Sequence, residues 1–105
     1  MDIKIYWTDF AKNELRAIFS FYKERASLRI ARKLVLAINQ EVMKLEKQPD
    51  LGQREELLAE RKQVFRYLIC KNYKCIYWFN KDENRIEITD VFDTRQNPDK
   101  LKRTE

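Results

Sequence analysis

Histidine is absent from all 105 residues. That omission removes the imidazole general base, and with it the Ser-His-Asp triad. It also takes away the commonest zinc ligand. The two cysteines, Cys70 and Cys75, sit in CKNYKC without a CxxC pair, so thiolates do not make up a metal site either. Glycine occurs once and proline twice, which leaves no flexible linker or low-complexity tract. The opening MDIKIYWTDF lacks the apolar centre of a secretion signal, and no stretch approaches the roughly 18 apolar residues of a membrane span. The expectation is one domain over residues 1–105, cytoplasmic, with no membrane contact, no cofactor and no metal. Any reaction would fall to Lys, Arg, Tyr, Asp or Glu.

What is present points to a basic, folded chain. Lys and Arg number 22 against 17 Asp and Glu, a net charge of +5, and 44% of residues are hydrophobic, 12% of all residues being aromatic. Those fractions supply one core. The charge suits a partner rich in phosphate or carboxylate.

Periodicity divides the chain in two. Residues 2–7 alternate, with Ile3 and Ile5 on one side, and read as a short strand. Thr8 is placed to cap a helix, with Asp9 in the first turn where the helix dipole favours an acid. Ala11, Leu15, Ile18, Phe19 and Tyr22 then follow helical spacing to about Lys23. Ser27 is a second cap candidate, ahead of a longer helix whose stripe is Ile30, Leu34, Ile38, Val42 and Leu45. Pro49, in the turn PDLG, stops it. Residues 64–70, 73–79 and 85–92 are rich in Val, Ile, Phe, Tyr and Trp and are separated by KN and KDEN, the pattern of a three-stranded meander. The order β-α-α-β-β-β predicts an α+β fold, an antiparallel sheet packed on one face by a helical hairpin.

Pairing the strands predicts the two sheet faces. A turn centred on Asn72 and Tyr73 sets Cys70 opposite Cys75 and Leu68 opposite Tyr77. A turn at KDEN sets Phe79 near Ile86 and Tyr77 near Ile88. The core face then carries Leu68, Cys70, Cys75, Tyr77, Phe79, Ile86 and Ile88. The opposite face mixes Phe65, Tyr67, Ile69, Ile76 and Trp78 with Lys71 and Lys74, a surface suited to a partner unless the terminal segment or a second copy covers it. An opposed cysteine pair either oxidises or simply packs as buried thiols, and a reducing interior favours packing.

These residues resemble the RelE/ParE toxin superfamily of type II toxin–antitoxin systems. The likeness is carried by IYWTDFAKNELRAIFSFY, by the second helix closing on a Pro-x-x-Gly turn at Pro49 to Gly52, and by Arg66, Leu68, Tyr73 and Tyr77 of FRYLICKNYKCIYWF. It ends with VFDTRQNP, where Arg95 follows the last strand. The resemblance, closest to the ParE branch, implies a growth-halting toxin neutralised by a cognate antitoxin. Contact with promoter DNA would be indirect, through that antitoxin. The mixed face implies a binding surface formed by Arg66, Tyr67, Lys71, Lys74, Trp78 and Arg95.

The superfamily divides between gyrase poisons and ribosome-dependent mRNA endonucleases. Histidine-free RNA cleavage needs several cations aimed at one phosphate. Arg61, Lys62, Arg66, Lys71, Lys74 and Arg95 are the cations available here. Arg66, Lys74 and Arg95 with Tyr73 form the catalytic set if that branch applies, Tyr67 being the alternative proton donor. Only Arg66 stands on the first meander strand, and the tail DKLKRTE lacks a tyrosine, so the ParE-like reading, with DNA gyrase as target, is preferred. The alternatives are the endonuclease and a non-toxic module that only holds an antitoxin. Structural roles compete at each cation: Arg66 pairing with Glu56 or Asp90, Arg95 capping the sheet near Asp93.

Overall fold

The computed structural model describes residues 3–103. Asp2, read above as the start of the first strand, lies outside the described residues, as do Met1, Thr104 and Glu105. In chain order the elements are β1 (Lys4–Trp7), α1 (Asp9–Arg25), α2 (Leu28–Met43), β2 (Gln53–Arg54), β3 (Arg66–Cys70), β4 (Tyr73–Asn80) and β5 (Arg85–Asp93). Short 3₁₀ turns follow at Lys44–Glu46, Glu56–Leu58 and Pro98–Arg103. The expected α+β architecture is present, two helices on a sheet of five strands ordered β1-β5-β4-β3-β2. Two details exceed the expectation: β2 adds a fifth strand, and β1 runs parallel to β5.

Both caps form where the sequence placed them. The Thr8 hydroxyl accepts from the Ala11 amide at 3.2 Å and donates to the Ile88 carbonyl at 3.0 Å, so one side chain starts α1 and ties it to the sheet. The Ser27 hydroxyl accepts from the Ile30 amide at 3.1 Å. Each satisfies an amide that the helix itself cannot pair.

The β3–β4 turn falls one residue earlier than expected, which slips the strand pairing by two. Lys71 and Asn72 form it, Lys71 in the left-handed region at φ 57°. Cys70 therefore faces Tyr73, and Cys75 faces Leu68. The cysteines are not opposed; they lie diagonally on one face, both buried and free. A slip of two leaves every side chain on its expected face, because strand side chains alternate with period two. The β4–β5 pairing agrees with expectation, Phe79 facing Ile86 and Tyr77 facing Ile88. Beyond it the register shifts, Ile76 pairing with Asp90, so Thr89 is an extra residue on β5. That bulge turns Val91 toward the helices and sends Asp90 and Phe92 to the other side.

The sheet consequently has two cores. Ile18, Ile38, Val42 and Leu45 of the helical layer pack on Leu68, Cys75, Tyr77, Ile86, Ile88 and Val91. On the far face Leu58, Phe65, Ile76, Phe92 and Leu101 form a second cluster, with Tyr67 and Trp78 packed against it. Each such buried side chain stabilises the fold by roughly 1.5–3 kcal/mol. The expectation of an open second face is thereby corrected. The segment after β2 and the turn after β5 bring Leu58 and Leu101 onto it, and the two segments are joined where the Arg61 guanidinium donates to the Lys102 carbonyl at 2.7 Å.

Candidate functional site

The residues singled out in the sequence occupy three separate places. At the start of β3, the Arg66 guanidinium donates to the Gly52 carbonyl at 3.0 Å, with Asp50 3.9 Å away. Its partners are neither Glu56 nor Asp90, the acids expected. The Gly52 amide in turn donates to the Tyr77 hydroxyl at 2.9 Å, and that hydroxyl donates to the Pro49 carbonyl at 2.8 Å. Burial pushes the Tyr77 phenol above its ordinary pKa. The Pro-x-x-Gly turn is thus bolted to the sheet by a tyrosine and an arginine.

At the opposite end of the same strand pair stand Tyr73 and Arg95. Both line a shallow cavity of about 270 Å³ with Asp93, Glu14 and Phe21. Burial raises the Tyr73 hydroxyl to about 12, with Tyr22 alongside adding to the rise. A phenol of that pKa is a weak proton donor near neutrality. The Arg95 guanidinium holds both Asp93 oxygens, at 3.0 and 2.7 Å, while its side chain stays 64% exposed. This is the sheet-end cap offered by the structural reading. The contact pulls the Asp93 carboxyl down to about 2.

A carboxyl with a lowered folded pKa contributes stability that is present above its unfolded value and is lost as pH falls through the folded one. Stability should therefore decline between about pH 4 and pH 2 in part through Asp93. Acid unfolding of Asp93→Asn should show a shallower pH slope in that interval, and an unchanged slope would remove this pair from the acid response.

Lys74 lies on the far face. Its ammonium meets Glu55 at 2.9 Å and sits 4.3 Å above the Tyr67 ring. Glu55 is buried and also accepts from the Leu57 amide at 3.3 Å. The Tyr67 hydroxyl donates to Gln53 at 3.1 Å. Trp78 is half-buried beside the second cluster, and Lys71 is exposed in the turn. Arg66 and Tyr73 thus belong to opposite ends of β3 and β4, since Arg66 pairs with Tyr77 and Tyr73 with Cys70. Four strand steps at ~3.3 Å each separate them by about 13 Å along the backbone. The cations do not converge on one point.

A surface the sequence reading passed over lies on the helical hairpin. Trp7, Leu15, Phe19, Val35 and Leu36 line an open groove of about 440 Å³, with Lys12 and Arg32 at its rim. Leu36 is 57% exposed. The signal was in the sequence: Leu34, Val35, Leu36, Ala37 and Ile38 are five consecutive apolar residues, more than one helix stripe uses. Around the hairpin's other side, Ile30, Leu34 and Ala37 continue to Lys33 and Lys71. Among the described residues no helix is long and apolar enough to cross a membrane.

Comparison with known proteins bears on this geometry. The family model described as ParE toxin of type II toxin-antitoxin system, parDE, matches residues 5–98. A chain of the chromosomal ParDE toxin–antitoxin system from P. aeruginosa superposes with a TM-score of 0.71 at 20% identity, covering 87% of this chain and 95% of that one. At that identity the likeness is one of fold. No curated protein sequence matches significantly.

Proposed function

This chain belongs to the ParE toxin family of type II toxin–antitoxin systems, and on that premise we propose that it arrests growth by binding DNA gyrase until a cognate antitoxin neutralises it. The observation that carries a binding mode of action is the dispersal of the candidate cations. Phosphoryl chemistry without histidine or metal requires several positive groups around one phosphate. Here Lys74 is neutralised by Glu55, Arg95 by Asp93, and Arg66 is turned to a carbonyl. Such an arrangement favours contact over cleavage.

Neutralisation is supported by the hairpin groove. Its floor is apolar and its rim is basic, which suits an amphipathic segment carrying acids on its flanks. Of the residues nominated from the sequence, Lys71 stands on the hairpin's other side, beside Ile30, Leu34 and Ala37, whereas Tyr67 and Lys74 are engaged with the chain's own Gln53 and Glu55. We place the antitoxin on the hairpin, with Arg66 and Trp78 left to the target.

Inducible expression in a bacterial host tests the reading. The expected result is growth arrest with a DNA-damage response, relieved by co-expressing the neighbouring antitoxin frame. Prompt translational arrest with cleaved mRNA would replace gyrase by the ribosome. Unhindered growth would leave only an antitoxin-binding module.

A further inference from the structure

β4 outruns β3. The last β3 pair is Arg66 with Tyr77, whereas Trp78, Phe79 and Asn80 continue on β5 alone. The step leaves an open cleft of about 560 Å³ between residues 62–64 and the β4–β5 turn. Its wall is Val64, Trp78 and Phe79, and Lys62, Lys81 and Arg66 surround it. Among the described residues Lys62 and Lys81 enter no ion pair, unlike Lys74 and Arg95. The acids of the cleft, Asp50 and Asp82, are both exposed to water, and Asp50 stands 3.9 Å from Arg66.

We infer that this cleft binds single-stranded nucleic acid, a base resting on the Trp78 wall and its flanking phosphates on Lys62 and Lys81. Every base presents a π-face, so an indole flanked by unneutralised cations serves as a sequence-tolerant platform. An acidic peptide would satisfy the lysines and leave the indole without a flat partner. The cleft lies on a different part of the molecule from the hairpin groove, so strand and antitoxin need not compete. Direct contact of this kind goes beyond the protein-target reading and does not depend on gyrase being the target.

The test is fluorescence anisotropy of labelled ten-nucleotide dT and U strands with the full chain. Lys62→Gln/Lys81→Gln is the informative variant, because neither lysine holds the fold together. It should weaken binding at least tenfold at low salt. It should also flatten the dependence of log K on log salt by about 1.4, at ~0.7 per phosphate for single strands. Trp78→Ala should weaken binding about tenfold as well. Lys23→Gln/Arg29→Gln, equal in charge and placed on the helical hairpin across the sheet from Trp78, should change affinity far less. Binding of dT, of U or of both supports the proposal, and their order identifies the natural strand. Three results overturn it: no binding of either strand, equal losses in the cleft and control variants, or displacement of the strand by a ten-residue glutamate peptide at equal concentration.

Discussion

Gly52→Ala is expected to lower unfolding free energy by about 3 kcal/mol or more, combining overpacking with a buried hydrogen bond lost. In a domain of this size that is a fall in Tm of roughly 12–24 °C. The reason is space. A Cβ at this position would stand 2.6 Å from the Tyr67 carbonyl oxygen and 2.7 Å from both Cε1 and the hydroxyl of Tyr77. The Tyr67 carbonyl belongs to β3 and cannot retreat without disturbing the β2–β3 pairing of Gln53 with Tyr67. The Tyr77 ring, fully buried, has nowhere to turn. Pushing the turn outward would instead break the bonds from the Gly52 amide to Tyr77 and from Arg66 to the Gly52 carbonyl. Tyr77→Phe removes only the hydroxyl and should destabilise less, by about 1–3 kcal/mol for the two polar groups left without it. Urea unfolding of both variants checks the order. A loss under about 1 kcal/mol for Gly52→Ala would show that the turn is not held against the sheet.

Removing Arg103 should have the second-largest effect. Its Nε and Nη2 each donate to one Asp90 oxygen at 3.0 Å, and Asp90 is 0% exposed. The guanidinium also lies 3.5 Å from Glu14 and covers the rings of Phe10 and Phe92. Taking away one partner of a buried pair strands the other charge. Because Arg103 itself is partly solvated, about 2–3 kcal/mol is the expected loss for Arg103→Gln, below the value for a pair shut off from water. Adding Asp90→Asn to that variant should recover part of the loss by removing the stranded charge. The double-mutant cycle therefore separates the pair from the ring contacts. Additive losses would show that Asp90 and Arg103 do not depend on each other.

Much of the fold could be read from residue types. Thr8 and Ser27 announced both helix starts, and alternating Ile, Tyr and Phe announced the sheet. The error in the β3–β4 register did no harm to the assignment of faces because it was an even number. It did misplace the cysteines, since nothing in KNYK distinguishes a turn at Lys71–Asn72 from one a residue later. The β5 bulge at Thr89 did leave a trace, since the apolar alternation of Ile86 and Ile88 breaks at Thr89–Asp90 and resumes at Val91, but a break of one residue does not by itself tell a bulge from a strand end.

The cover on the far face was hidden more deeply. Leu58 falls in the short run Leu57-Leu58-Ala59 and Leu101 stands alone among charges, both in 3₁₀ turns too short to show a period. Side-chain bonds to backbone carbonyls were equally unreadable, so Arg66 was matched with acids when a carbonyl was its partner. At the candidate site the residue types were legible and their grouping was not. Arg66, Lys74, Tyr73 and Arg95 fall within 30 positions of one another, yet the pleat and the hairpin distribute them over two ends and two faces.

The parallel pairing of β1 with β5 has a consequence for how the molecule comes into being. The first strand's lateral partner lies some 80 positions downstream, as the Thr8-to-Ile88 bond records. Closing so long a loop is slow and must wait for the distant segment to exist. A nascent or prematurely terminated product therefore lacks the edge pairing that ties β1 to β5, and synthesis itself delays the appearance of a finished poison.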